Sequence, residues 1–124
     1  MMFDKQEAKE FLISRMPFLM GRVFEIVWDT DFNADRNEVI KRLEDALYYV
    51  RLMWPKEYLF RKYRDKIGCC YIMDCFIVFV CYHLDAKKRA LLMYILQDHG
   101  DGIGGPLYKE ISRLIEELKG IESK

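Results

Sequence analysis

From Cys69 to Leu84 the chain is apolar on every side, interrupted only by Asp74 and His83. A stretch with no polar face must be enclosed, either as the central helix of a bundle or as a membrane span. The apolar run from Ile67 to Leu84 falls just short of the ~20 residues that crossing a bilayer needs. Asp74 lies near its middle, where a carboxylate costs roughly 2.5–3.5 kcal/mol on the insertion scale. Basic residues flank both ends, Lys62, Arg64 and Lys66 before it and Lys87, Lys88 and Arg89 after it. The β-branched and aromatic run from Phe76 to Tyr82 could also form a buried strand, but the segment is long for a strand and no other part of the chain alternates to partner it. The expectation is a central apolar helix near 69–84, with Asp74 as a buried polar contact that needs a partner from another helix.

The rest of the chain supplies surfaces to wrap such a helix. Asp4 and Glu7 have the spacing of a capping box, and Ala8, Phe11, Leu12 and Met16 follow at helical intervals. Pro17 breaks or restarts that helix, because it lacks an amide donor and suits a first turn. From Pro17 to about Asp29, Leu19, Met20, Val23, Phe24, Ile26 and Val27 form a wide apolar face. Arg22, Glu25 and Asp29 form the polar stripe opposite. Thr30 to Ala34 reads as a loop. Asp35 and Glu38 open a third helix whose apolar positions are Val39, Leu43, Ala46, Leu47, Val50 and Met53. Pro55 ends it and opens a fourth over 56–67, stopped by Gly68. Asp85 caps a helix running to about Asp98, and Gly100 stops it. The last helix opens at Pro106, carries Leu107, Tyr108, Ile111, Leu114, Ile115 and Leu118, and ends at Gly120. The prediction is an all-α single-domain helical bundle of about five or six helices spanning 1–124.

The composition agrees with one folded domain. A chain of 124 residues that is 52% apolar and 15% aromatic has ample material for one core and too little for two. Twenty basic residues balance twenty acidic ones, which argues against a dedicated nucleic-acid or membrane-surface binder. Uncharged polar residues are few, so charges build the surface, a bias found in proteins from hot environments. The four cysteines and seven methionines run against that bias. No apolar run follows a basic start, so no secretory signal is read, and a cytoplasmic location with reduced thiols is expected.

Candidate sites are sparse. Asp29, Asp31, Asn33 and Asp35 alternate between two helices. Over about ten residues this resembles the first half of an EF-hand calcium loop, which places oxygen ligands at alternate positions. The resemblance implies Ca²⁺ or Mg²⁺ as a ligand. The sequence departs from the pattern at Ala34, where the loop needs Gly, at Arg36, where an apolar residue is usual, and at Ile40, where the bidentate Glu belongs. The competing reading has Asp35 as a helix cap. Glu7 and Glu10 share a helix face, and Asp35 and Glu38 repeat that spacing. Facing carboxylates of this kind hold Mg²⁺ for nucleotide hydrolysis. The arrangement loosely resembles that of the all-α nucleotide pyrophosphohydrolases, with the second pair in reverse order.

The cysteines Cys69, Cys70, Cys75 and Cys81 lack zinc-site spacing and read as small buried hydrophobes. The loop Gly100 to Gly105 contains a GxGxxG spacing, but without the strand that a dinucleotide fingerprint requires. Arg51, Lys56, Arg61, Lys62, Arg64 and Lys66 face only Glu57 and Asp65 in their segment and interleave with Tyr58, Phe60 and Tyr63. That mixture can track a nucleic-acid backbone and stack on bases. Between 25 and 38, five acids oppose Arg36 alone, so the chain is charge-segregated and not basic. No nucleophile–base arrangement is apparent. The leading expectation is a non-enzymatic protein–protein interaction or regulatory module, a homo-oligomer or part of a complex, with no cofactor. The alternatives are a nucleic-acid-binding protein using 51–66 and a metal-dependent nucleotide phosphohydrolase.

Overall fold

The structure, a computed structural model, describes residues 4–14, 16, 18–53, 84–98 and 105–120, and every structural statement below refers to these. They form five helices: α1 (Lys5–Ser14), α2 (Phe18–Asp29), α3 (Arg36–Met53), α4 (Ala86–Asp98) and α5 (Pro106–Gly120). No strand occurs among the described residues. The all-α expectation therefore holds. The expected helix over 56–67, the central apolar helix near 69–84 and its Asp74 lie outside the described residues. No helix among the described residues is long and apolar enough to cross a membrane.

Helix starts follow the capping chemistry read from the sequence. Asp4 Oδ1 accepts the Glu7 amide at 2.7 Å and the Asp4 carbonyl accepts Ala8 N–H at 3.1 Å. Asp35 does the same for α3 through Asn37 and Val39, both at 3.1 Å. Asp85 does so for α4 through Lys88 at 3.0 Å and Arg89 at 2.9 Å. Each carboxylate satisfies amides that the first helical turn leaves without partners.

Four helices close into a ring in the order α2, α3, α5, α4, and α1 packs on the outside of α2. Neighbours in the ring run antiparallel. Arg22 near the start of α2 lies 5.4 Å from the ring of Tyr49 near the end of α3. Arg51 at the end of α3 meets Tyr108 at the start of α5, while Lys119 at the end of α5 meets Glu44 further back on α3. Lys88 at the start of α4 meets the Trp28 carbonyl at the end of α2.

The enclosed core takes the predicted stripes of three helices, Met20, Val23, Phe24 and Val27 of α2, Val39, Leu43, Ala46 and Val50 of α3, and Ile111, Leu114 and Ile115 of α5, and adds Leu91, Leu92 and Ile95 of α4, for which the sequence reading named no stripe. Phe24 and Trp28, one turn apart, pack with ring centroids 5.6 Å apart and planes tilted by 32°. Each fully buried side chain of this size contributes about 1.5–3 kcal/mol. Gly21 marks the α1–α2 crossing, where a Cβ would lie 3.3 Å from Ile13 Cγ2.

Candidate functional site

The antiparallel packing of α3 on α5 leaves a groove of about 330 Å³. Leu47 and Ile115 form its apolar floor, since both belong to the buried core. Its two ends differ. At one end the Arg51 guanidinium donates to Tyr108 Oη through Nε at 3.3 Å and Nη2 at 3.1 Å, and lies 5.6 Å from the centre of the same ring. At the other end Lys119 Nζ lies 3.4 Å from Glu44 Oε2, and Glu116 adds a second carboxylate. Ser112 lies between the two ends.

Beside the groove, α3 presents two large apolar side chains to solvent. Tyr48 is 54% exposed and Leu52 is 43% exposed. They are four residues apart and so share one helix face. On an α-helix, Glu44, Tyr48 and Arg51 also fall within one narrow stripe, at steps of four and three. This face of α3 therefore carries an acid and a base that line the groove, with an aromatic ring and an aliphatic side chain on the solvent side of them, along about two helical turns. Tyr48 also meets Tyr49 edge to face, with centroids 5.4 Å apart.

A second groove, of about 340 Å³, runs between α4 and α5. Three of its charges pair with one another on α5. Arg113 bonds Glu110 at 2.6 Å and Glu117 at 2.7 Å on its own helix. The guanidinium holds the Glu110 carboxyl below the usual range.

The acidic loop is organised by backbone and lysine contacts. Asp29 receives Lys9 Nζ at 3.0 and 3.1 Å, which ties α1 to the end of α2. Asp31 Oδ1 accepts the Asn33 amide at 2.9 Å, a turn-forming bond. Asn33 stands exposed, and Asp35 caps α3. Thr30 is buried and donates through Oγ1 to the Ile26 carbonyl at 2.6 Å, closing the end of α2. Glu7, Glu10, Asp35 and Glu38 are all exposed, and Glu10 accepts a bond from Gln6. Among the described residues no group of three or more His, Cys, Asp or Glu side chains is placed to hold a metal ion.

Of the basic–aromatic segment, only Arg51 lies within the described residues. Lys56, Arg61, Lys62, Arg64 and Lys66 lie outside them. Lys88, one of the basic residues that follow the apolar run, is half-buried and donates to the Trp28 carbonyl. Burial pushes its ammonium pKa down, against the opposing pull of Asp85, Asp29 and Asp31.

The sequence reading did not single out Glu44, Tyr48, Leu52, Ser112, Glu116 or Lys119, and it read Tyr108 only as part of an apolar stripe. A signal for two of them was present. Tyr48 and Leu52 are large apolar residues that fall off the stripe defined by Leu43, Leu47 and Val50. No family model, curated protein or solved structure matches the chain.

Proposed function

We propose that this chain is a non-enzymatic protein-interaction module that self-associates through the exposed face of α3. The observation that carries this reading is the exposure of Tyr48 and Leu52 on the solvent face of α3, next in the helix to the Glu44 and Arg51 that line the α3–α5 groove. Exposed apolar residues scattered singly need no explanation, but adjacent ones beside a groove with an apolar floor form a patch. Aromatic side chains are also enriched at binding centres.

The magnitude sets the kind of association. Two copies would cover four roughly half-exposed side chains, gaining about 3–6 kcal/mol at 1.5–3 kcal/mol for each full burial. Association costs at least about 4 kcal/mol in lost freedom. That surplus is at most about 2 kcal/mol, so a dissociation constant near 1 mM, which needs about 4 kcal/mol net, also requires polar contacts across the interface, and the complex is weak and dynamic. Such an interaction suits a regulatory contact more than a permanent assembly. On this reading the module works in the cytoplasm, with its cysteines as thiols.

Sedimentation equilibrium of the full chain tests the reading. The weight-average mass should climb from 14.9 kDa toward twice that value between about 10 µM and 1 mM. The double variant Tyr48→Ser/Leu52→Ser should keep the single-chain mass throughout. A wild-type mass that stays constant over the whole range overturns the reading.

A further inference from the structure

The stripe on α3 is complementary to itself when reversed. Glu44 and Arg51 lie about 10 Å apart along the helix axis, at 1.5 Å per residue, and Tyr48 sits between them. A two-fold axis through Tyr48, perpendicular to the helix, exchanges the acidic and basic ends. We propose that a second copy of this chain docks with its α3 antiparallel to the first, Tyr48 against Tyr48 at the axis. Glu44 of each copy then faces Arg51 of the other, and Leu52 covers the flank. This rests on the self-association just argued and adds its orientation and register.

Three observations favour this occupant over an unrelated partner. Between positions 44 and 51 the stripe carries one charge of each sign, with exposed Lys41 beyond the paired stretch, so a copy of itself meets both, as the isologous contact of a two-fold dimer requires. Parallel docking in the same register would set Glu44 against Glu44 and Arg51 against Arg51, so charge selects the antiparallel form. Contacts within the chain also hold both charged groups at the rim. Lys119 approaches Glu44 at Oε2. Tyr108 takes Nε and Nη2 of Arg51 and not Nη1. Glu44 is 53% exposed.

Charge reversal with mixing tests the register. Glu44→Arg alone gives a copy with two basic ends, and Arg51→Glu alone gives one with two acidic ends. Each variant by itself should associate at least tenfold more weakly than wild type. An equal mixture of the two should recover association to within about threefold of wild type, because both cross-pairs are then opposite in sign. The loss of the Arg51–Tyr108 bond is the same in the mixture as in Arg51→Glu alone, so it cannot produce the recovery. A mixture that stays as weak as its components overturns this register while leaving self-association intact. A wild-type chain that never associates overturns both.

If a reversed variant fails to fold, the neutral variants Glu44→Gln and Arg51→Gln replace it. Each should weaken association about twofold to tenfold, the range for two rim ion pairs, and the double variant should be no weaker than either single one. Losses that multiply in the double variant would show that the two side chains do not meet.

Discussion

Lys88→Met tests how the start of α4 is fastened to the end of α2. The Lys88 ammonium donates to the Trp28 carbonyl, one of the acceptors that the last turn of α2 leaves open. A hydrogen bond from a charged donor contributes about 1.5–3 kcal/mol, and a cation at a helix C-terminus is further favoured by the dipole. Burial of the ammonium works against this and is the larger influence on its titration, which is why its pKa is lowered. Methionine keeps a stem of similar length for packing, so the substitution isolates the polar head. The net loss should be about 1–2 kcal/mol. With a urea m-value of roughly 1–2 kcal/mol/M for a domain of this size, the midpoint should fall by roughly 0.5–2 M.

The pH dependence supplies a second arm. Below the lowered pKa, folded and unfolded chains both keep the Lys88 proton. Above the ordinary value of 10.5 neither does. Between the two, the unfolded chain binds the extra proton, so wild-type stability gains a contribution as pH rises. Lys88→Met lacks that contribution, and the stability gap between wild type and variant should widen across the window. An unchanged or raised urea midpoint would refute the argument that Lys88 closes α2, and a gap that narrows with pH would refute the dominance of burial over its charged contacts.

Two further substitutions probe the framework around the acidic loop and the α1–α2 crossing. Asp35→Ala should cost about 1 kcal/mol by removing the α3 cap, by the same amount in chelator and in millimolar calcium. A loss that appears only with calcium would mean that the carboxylate ligates metal instead of serving only the Asn37 amide. Gly21→Ala should leave stability within about 0.5 kcal/mol of wild type, because a helix-propensity gain of ~1 kcal/mol meets a methyl contact that half-buried Ile13 relieves by a small shift. Gly21→Leu should instead cost about 1–3 kcal/mol by overpacking the crossing, and thermal melting that ranked the two variants the other way would remove the steric account.

Much of the architecture could be read directly from residue order. The carboxylates at Asp4, Asp35 and Asp85 mark helix starts because a first turn exposes amides that only a nearby acceptor satisfies, a requirement local to a few residues. Spacings of three and four place Leu43, Ala46, Leu47 and Val50 on one side of α3, and that side is buried. The roles of charged residues were not legible in the same way. Lys9 reaches Asp29 across twenty positions, and Lys88 reaches Trp28 across sixty. Nothing in the local pattern of either lysine distinguishes it from a solvated surface cation. Thr30, placed in a loop by its neighbours, is buried and bonds back to the Ile26 carbonyl at the end of α2.

The α3–α5 groove depended still more on assembly. Arg51 belonged, in sequence terms, to a basic run with the residues after it. In the fold it belongs to Tyr108, more than fifty positions away. Periodicity along a chain specifies which side of each helix avoids water, because that depends only on angles within one helix. Which helices become neighbours, and therefore which off-stripe side chains are covered and which remain exposed as Tyr48 and Leu52 do, depends on packing between distant segments. That pairing is decided by the closing of the ring, where the gain from burying all the stripes together selects a partner that no single segment encodes.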